Sequence, residues 1–429
     1  MDDSTFPAVL EALYQDLSDL ATWLRDTPNL DLRTAESVTR ERLRTIGAQV
    51  LELGVVARGS GRVDGGLTCG CGQRMRLEGN RPKGVQTVVG WITLRRAYYC
   101  CPVGGAGFAP LDATLGVSRD SHSPGVRRLA SRFGALLPFA QAAATLREAA
   151  GIHLSASTVR TVTEAVGTVR EQAIVAAVAQ AWVQGWMPVA GPPPDRCYVA
   201  MDGVRILSPD GPGREVKVGI VIPVDPLPGG ERRGPARYAA SLEPAEDFGR
   251  RLALVAHERQ AERAAQRAVL GDGAAWIWNL ADEHFPGAVQ IVDWYHASAR
   301  VWDLGRALYG PETAETAAWV DRQLGRLAAG QVGALVAAWR ALPCRGDAAT
   351  VREAQVTYFT NQASRMAYDQ YRAAGWDIGS GMIESACKAL IGPREKGPGM
   401  RWSDAGAQAV TNVRLLLFND EWTTHWAAA

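Results

Sequence analysis

The run AGPPPDR at 190–196 separates two stretches of different hydrophobic texture. Three consecutive prolines cannot sit inside a helix, because each lacks the backbone N–H and its ring crowds the preceding turn. After this run, "CYVAMDGVRIL", "REVKVGIVIPV" and "RYAASL" alternate β-branched and aromatic residues and are joined by Gly/Pro loops, the second being "DPLPGGERRGP". They predict three hairpin-connected strands. "PAEDFGRRLALVAHERQ" predicts a helix capped near Ser241 or Glu243, and "RAVLGDGAAWIWNLADEHF" predicts a strand running into a helix. "GAVQIVDWYHASARVWDLGRAL" repeats that pattern, and 310–374 reads as largely helical. Strands in hairpins followed by alternating helix and strand make an α/β domain with a mixed sheet.

This element order is the ribonuclease H-like one, in which the first and fourth strands run parallel as neighbours. Asp202 ends the apolar run YVAM and Asp272 ends RAVLG, each followed by a glycine that lets a ligand approach the backbone. Two carboxylates on neighbouring strand ends repel unless a divalent cation lies between them. Glu384 follows the Gly379-Ser380-Gly381 bend in a segment whose Ile383, Ala386, Cys387 and Leu390 form a helical stripe. Packed across the two strands, that helix would complete a site for two Mg²⁺ ions, suited to phosphodiester displacement. Each feature has a plainer reading: Asp-Gly is a common turn, and Glu384 with Lys388 has the spacing of a surface ion pair.

Upstream of the prolines the texture is mostly helical. Val9, Leu10, Leu13, Leu17, Leu20 and Leu24 recur at helical steps, and a second helix is expected over 35–53, within an N-terminal helical region at 1–66. A zinc-ribbon-like hairpin is expected over 67–118, where VQTVVG and WITLRRAYY flank Gly90. Cys69 and Cys71 precede that strand pair, and Cys100 and Cys101 follow it. Two cysteine knuckles around a hairpin suit Zn²⁺, although the spacing C-x-C and C-C, with Gly104 where a C-x-x-C knuckle ends, equally fits a metal-free ribbon. The third part, 119–190, contains LPFAQAAATLREAAGIHLSASTVRTVTEAVG. A helix, a turn at Gly151 and a second helix capped by Ser155 or Ser157 form the layout of a helix-turn-helix or of an ordinary helical hairpin. Thr158 and Arg160 near the start of the second helix, with Arg127 and Arg128 upstream, are the candidate DNA contacts.

The net charge of +1 conceals strong local imbalance. The first 60 residues hold ten acids against six arginines. From Arg74 to Arg96 six basic residues face one acid, from Arg119 to Arg170 seven face three, and from Lys388 to Arg401 four face one. Such patches suit a polyanion, as well as plain solvated faces. With 429 residues the chain has length for about three domains. Seven scattered cysteines favour a reducing cytoplasm over a disulfide framework. The acidic start argues against a secretory signal, and no apolar run is long enough to predict a membrane span.

The stretches "YVAMDGVRI", "VLGDGAAWIWNLADEHFPGAVQIVDWYHA" and "GSGMIESACKALIGPREKGPGMRWS" closely resemble the DDE transposases of bacterial insertion sequences, of the ISKra/ISLre-like group. The resemblance runs from about Leu67 to near the C-terminus. It implies a catalytic domain at 195–425 with Asp202, Asp272 and Glu384 as the triad for Mg²⁺ or Mn²⁺, and a helical insertion at about 310–374. Asp293 and His296, in DWYH, are similar to the D/C-x-x-H element of related transposases and imply a helper role, beside the plain reading of a histidine satisfied at a strand end. Arg394, Lys396 and Arg401 would grip phosphates, and Trp402 would stack on an unpaired base or pack in the core. The family's fuller cysteine ribbon is missing its last thiolate at Gly104. The expected partners are terminal inverted repeats and target DNA, bound by a homodimer or larger assembly in the cytoplasm at the nucleoid. The alternatives are a structure-specific nuclease or resolvase on the same fold, and a domesticated DNA-binding protein without catalysis.

Overall fold

The computed structural model describes residues 5–117, 119–227 and 230–428. The chain forms two compact units, Met1–Thr163 with Trp426–Ala429, and Glu164–His425. The division therefore falls inside a helix and not at the proline run expected to mark it. None of the described helices is long and apolar enough to cross a membrane.

In the first unit, α1 (Thr5–Asp26) and α2 (Leu32–Val56) pack through Leu13, Ile46 and Leu53, with Val9 alongside. Asp31 caps α2 by accepting a hydrogen bond from Thr34 N at 3.0 Å, satisfying one orphan donor of the first turn. The antiparallel strands β1 (Arg76–Thr87) and β2 (Gly90–Cys100) turn at Gly90, as the sequence predicts, and a short β3 (Gly107–Phe108) extends the sheet. Val85, Ile92 and Leu94 bury one face against Ala48 of α2. The short helix α3 (Pro110–Thr114) leads on to α4 (Pro124–Leu136) and α5 (Phe139–Ala150). After the turn at Gly151, α6 (Ala156–Gln184) begins, with Ser155 Oγ accepting from Thr158 N at 3.0 Å, so Ser155 is its cap. Val126, Ala130, Ala142, Leu146, Ile152, Val159 and Val162 form the core of these helices.

The second unit is a mixed α/β domain. Its sheet has the strands β4 (Arg196–Ser208), β5 (Gly211–Leu227), β6 (Gly230–Arg233), β7 (Arg237–Ser241), β8 (Gln266–Gly271) and β9 (Val289–Val292). The order is β6-β5-β4-β8-β9, with β7 also pairing with β5. β5 is antiparallel to β4, β6 and β7, while β4, β8 and β9 are parallel. Strand β6 arises within the stretch read as a loop, where its Arg232 and Arg233 pair across to β5. Tyr198 to Met201 are all buried, as expected for a central strand whose two faces are both covered. The helices α7 (Ala245–Glu258) and α8 (Ala275–His284) follow β7 and β8.

After β9 the chain is helical through α9 (Trp294–Tyr309), α10 (Ala314–Ala328), α11 (Val332–Arg340), α12 (Asp347–Gln362) and α13 (Tyr368–Ala373). Trp319 stacks on Trp339, which meets Phe359 edge-on, to form the core of this helical segment. Next come α14 (Gly381–Leu390), the short α15 (Gly392–Glu395), α16 (Asp404–Phe418) and α17 (Trp422–Ala428). The latter half of α6 belongs to this unit. At Gly167 an added Cβ would lie 2.0 Å from Ala409 O, so only glycine allows α6 and α16 to come so close. Asn412 Nδ2 bridges Gly167 O and Glu171 Oε2, and the buried Arg251 of α7 also pairs with Glu171. That network ties the later turns of the helix, expected to lie in a separate DNA-binding region 119–190, to the second unit.

Candidate active site

Strands β4 and β8 pair in parallel as far as Ala200 and Leu270. Asp202 and Asp272 each lie two residues beyond that last pair, so two steps of alternation bring both to equivalent places on adjacent strands. β4 continues, paired only with β5, where Asp202 faces Val218. Asp202 is thus internal to its strand and not at its end, contrary to the sequence expectation; what ends there is the pairing with β8. Asp272, by contrast, directly follows the end of β8.

Both acids are fixed locally. Asp202 Oδ1 accepts from Gly203 N at 2.7 Å, and Asp272 Oδ1 accepts from Ala274 N at 2.8 Å. Tyr358 Oη of α12 donates to Asp272 O at 2.7 Å, and Gln362 Nε2 donates to Gly273 O at 3.0 Å. Gly273 has φ +100°, and a Cβ there would sit 2.6 Å from the Tyr358 hydroxyl, so the turn requires glycine. The helical segment therefore braces the second aspartate from about ninety residues away in sequence, through contacts that no local pattern announces.

Helix α14 packs on β4 and β5, burying Ile383, Ala386, Cys387 and Leu390, the expected stripe. Glu384 is half-buried in its first turn and pairs with Lys388 Nζ at 3.0 Å. Cys387 Sγ, one turn on, donates to Asp202 Oδ2 at 3.6 Å. Burial, the nearby Asp202 charge and that hydrogen bond push the Cys387 thiol well above its ordinary range. Its position three residues after Glu384 was a readable signal that the sequence reading left unused. Asp202, Glu384, Cys387, His296, Lys388 and Lys396 line one cleft of about 480 Å³, with Arg205 at its edge.

Asp272 does not line this cleft, but its charge reaches into it. The Asp202 carboxyl is raised by burial and by the charge of Asp272, against the opposing bond from Gly203 N–H. Asp293 is fully buried at the start of α9, where its carboxylate accepts from His296 N at 2.8 Å, from His296 Nδ1 at 2.7 Å and from Ser380 N. Burial alone would raise it, but these donors outweigh burial and lower it. His296 is raised by its bond to Asp293 and by the charges of Asp293, Asp272 and Asp202, against burial. Trp294 N also donates to Ile378 O at 2.8 Å. Asp293 thus fastens the start of α9 to the bend that launches α14.

The only trio of His, Cys, Asp or Glu ligand atoms within 4.8 Å of one another among the described residues is Cys69, Cys71 and Cys101. Asp202 and Glu384 line the same cleft and the charge of Asp272 acts on Asp202, with Glu384 turned to Lys388. The donor set is nevertheless a hard-oxygen one, suited to Mg²⁺ or Mn²⁺.

Several expected contacts need correction. Arg394 is 1% exposed and lies over the Trp402 ring at 4.7 Å, and Trp402 is itself 7% exposed. Arg394 cannot grip a phosphate from there, while Trp402 packs in the core, the second of its two readings. Lys396 and Arg401 are exposed. In the first unit Arg128 and Arg160 are exposed, while Arg127 and Thr158 are half-buried. Cys100 leaves the cysteine group, its Sγ lying 3.8 Å from Cys101 O and 3.7 Å from Gly105 O. Adjacent residues of an extended chain point to opposite sides, which separates Cys100 from Cys101.

No family model matches the chain, and no curated protein matches it either.

Proposed function

We propose that the chain is a DNA strand-cleaving and strand-transferring enzyme of the DDE transposase type, built on a ribonuclease H-like core. One observation carries this reading: Asp202 and Asp272 leave the parallel β4–β8 pair at the same offset, and Asp202 lines one cleft with Glu384 of the helix packed on β4 and β5. The strand order β7-β5-β4-β8-β9, with the first three antiparallel and the last three parallel, supports the fold assignment. Asp202, Asp272 and Glu384 are the residues that would hold Mg²⁺ or Mn²⁺. When bound, such ions activate an attacking hydroxyl and stabilise the leaving oxygen of a phosphodiester.

The chain's own residues have separate tasks. Lys388, Lys396 and Arg205 supply positive charge along the cleft for the sugar-phosphate backbone. Tyr358 and Gln362 hold the Asp272 turn, and Asp293 holds both His296 and the bend before α14. His296, raised by its bond to Asp293, offers a further donor to a phosphate oxygen. The exposed Arg128 and Arg160 at α4 and α6 are the end-recognition candidates.

The test is cleavage and joining of insertion-sequence end DNA in Mg²⁺ by the full chain and by Asp202→Ala, Asp272→Ala and Glu384→Ala. Each variant is expected to lose more than about a hundredfold in cleavage with little change in end binding, as fits removal of electrostatic support at the reacting phosphate. Full cleavage by any of the three removes that residue from the site. Cutting without joining identifies a nuclease or resolvase instead, and binding without cutting by the wild type identifies a DNA-binding protein.

A further inference from the structure

The first unit holds a second group of chemistry-bearing side chains. Residues 67–75 form a small hairpin: Thr68 bridges Arg74, Met75 N donates to Leu67 O at 2.8 Å, and Cys69 N donates to Gln73 O at 2.8 Å. Gly72 N closes the tip on Cys69 O at 2.8 Å, leaving Cys69 and Cys71 on the tight turn. A second tight turn follows β2, where Gly105 N donates to Cys101 O at 3.0 Å and Cys101 N to Ala106 O at 2.9 Å. Within it Gly104 N points at Cys101 Sγ, 3.4 Å away. The two turns bring three sulfurs within 4.8 Å of one another, Cys71 Sγ and Cys101 Sγ being 3.5 Å apart.

We propose that Cys69, Cys71 and Cys101 form a three-thiolate site for one thiophilic divalent cation of the zinc class, with Cys100 outside it and the fourth coordination position open to water. Tetrahedral ligation at about 2.3 Å places sulfurs about 3.8 Å apart, which the observed grouping approaches. Backbone N–H groups aimed at a sulfur favour the thiolate form that such a cation requires. Cys71 is exposed, so solvent reaches the group. Gly104 carries no side chain to supply a fourth sulfur, and the space where its Cβ would lie is open. A disulfide is the poorer use of the geometry, because it would join two sulfurs and strand the third. The cation would tie the 67–75 hairpin to the turn after β2, and this role is independent of the DNA chemistry of the second unit.

Cobalt(II) serves as the probe, added to the reduced full chain, because its thiolate charge-transfer absorption reports sulfur ligands. Loss of the band in the Cys71 and Cys101 variants separates this group from Cys387 in the second unit's cleft. One equivalent is expected to give this band, with an intensity fitting three sulfurs, and Zn²⁺ to bleach it. Cys100→Ser is expected to keep the band, and Cys71→Ser and Cys101→Ser to lose it. Alkylation of the wild type, mapped by mass spectrometry, avoids dependence on the variants' folding: Zn²⁺ should slow modification of Cys69 and Cys71 at least tenfold while leaving Cys100 unchanged. The proposal is overturned if the wild type gives no thiolate band. It is equally overturned if Cys100→Ser abolishes the band, or if Zn²⁺ leaves Cys69 and Cys71 as reactive as before.

Discussion

Glu395 is fully buried beside Arg394, and its Oε1 accepts from Thr411 Oγ1 at 2.7 Å. Burial raises its carboxyl to about 7, against the bond from Thr411 and the charges of Arg414 and Arg394. Because the folded-state value lies above the unfolded one, the native protein holds an extra proton between about 4.5 and about 7. Stability is therefore lost as pH rises through that window and is retained below it. Glu395→Gln removes this slope: its Tm relative to wild type should climb from pH 4.5 to pH 8, a trend that thermal denaturation at the two pH values will check. The residue scale is also where the sequence misled most. A basic run beside a glutamate reads as a phosphate grip, yet Arg394 is core, because a guanidinium over the Trp402 indole can bury charge and stem together. Nothing in the spacing separates that arginine from the exposed Lys396 and Arg401.

Among the elements, those with strong period were legible. Strands β4, β5, β7, β8 and β9 appear where alternating or continuous apolar runs put them, and the stripe on α14 is buried residue for residue. Short elements were not: β6 hides in a Gly/Pro-rich stretch, since its four residues pair with the end of β5 without any alternating apolar pattern. The extent of α6 was also illegible, because Gly167 is a site of close approach to α16 that only tertiary packing reveals. Gly167→Ala places a methyl against the Ala409 carbonyl and should cost about 1–3 kcal/mol through overpacking. Urea denaturation would register that loss, and an unchanged midpoint would show that α16 can shift aside. The active-site bracing from Tyr358, Gln362 and Ser380 belongs to the same class of tertiary contacts that sequence pattern does not encode.

For the whole molecule, the near-zero net charge and the exposed Lys388, Lys396 and Arg401 lead to one expectation. Binding of end DNA should fall steeply with salt, since neutralised phosphates release counterions. Lys396→Ala and Arg401→Ala should each reduce the slope of log affinity against log salt by about 1 while weakening all DNA sequences alike. Arg394→Ala should leave that slope unchanged, which separates the buried arginine from its exposed neighbours. The identical two-residue run from the last β4–β8 pair to each aspartate has an evolutionary corollary. Slipping either spacer by a single position would turn one carboxylate to the far side of the sheet. Lengthening or shortening the outer helices would leave both in place, provided the bracing turns survive. Homologous chains should therefore vary freely in the size of that helical excursion while keeping the two short spacers invariant in length.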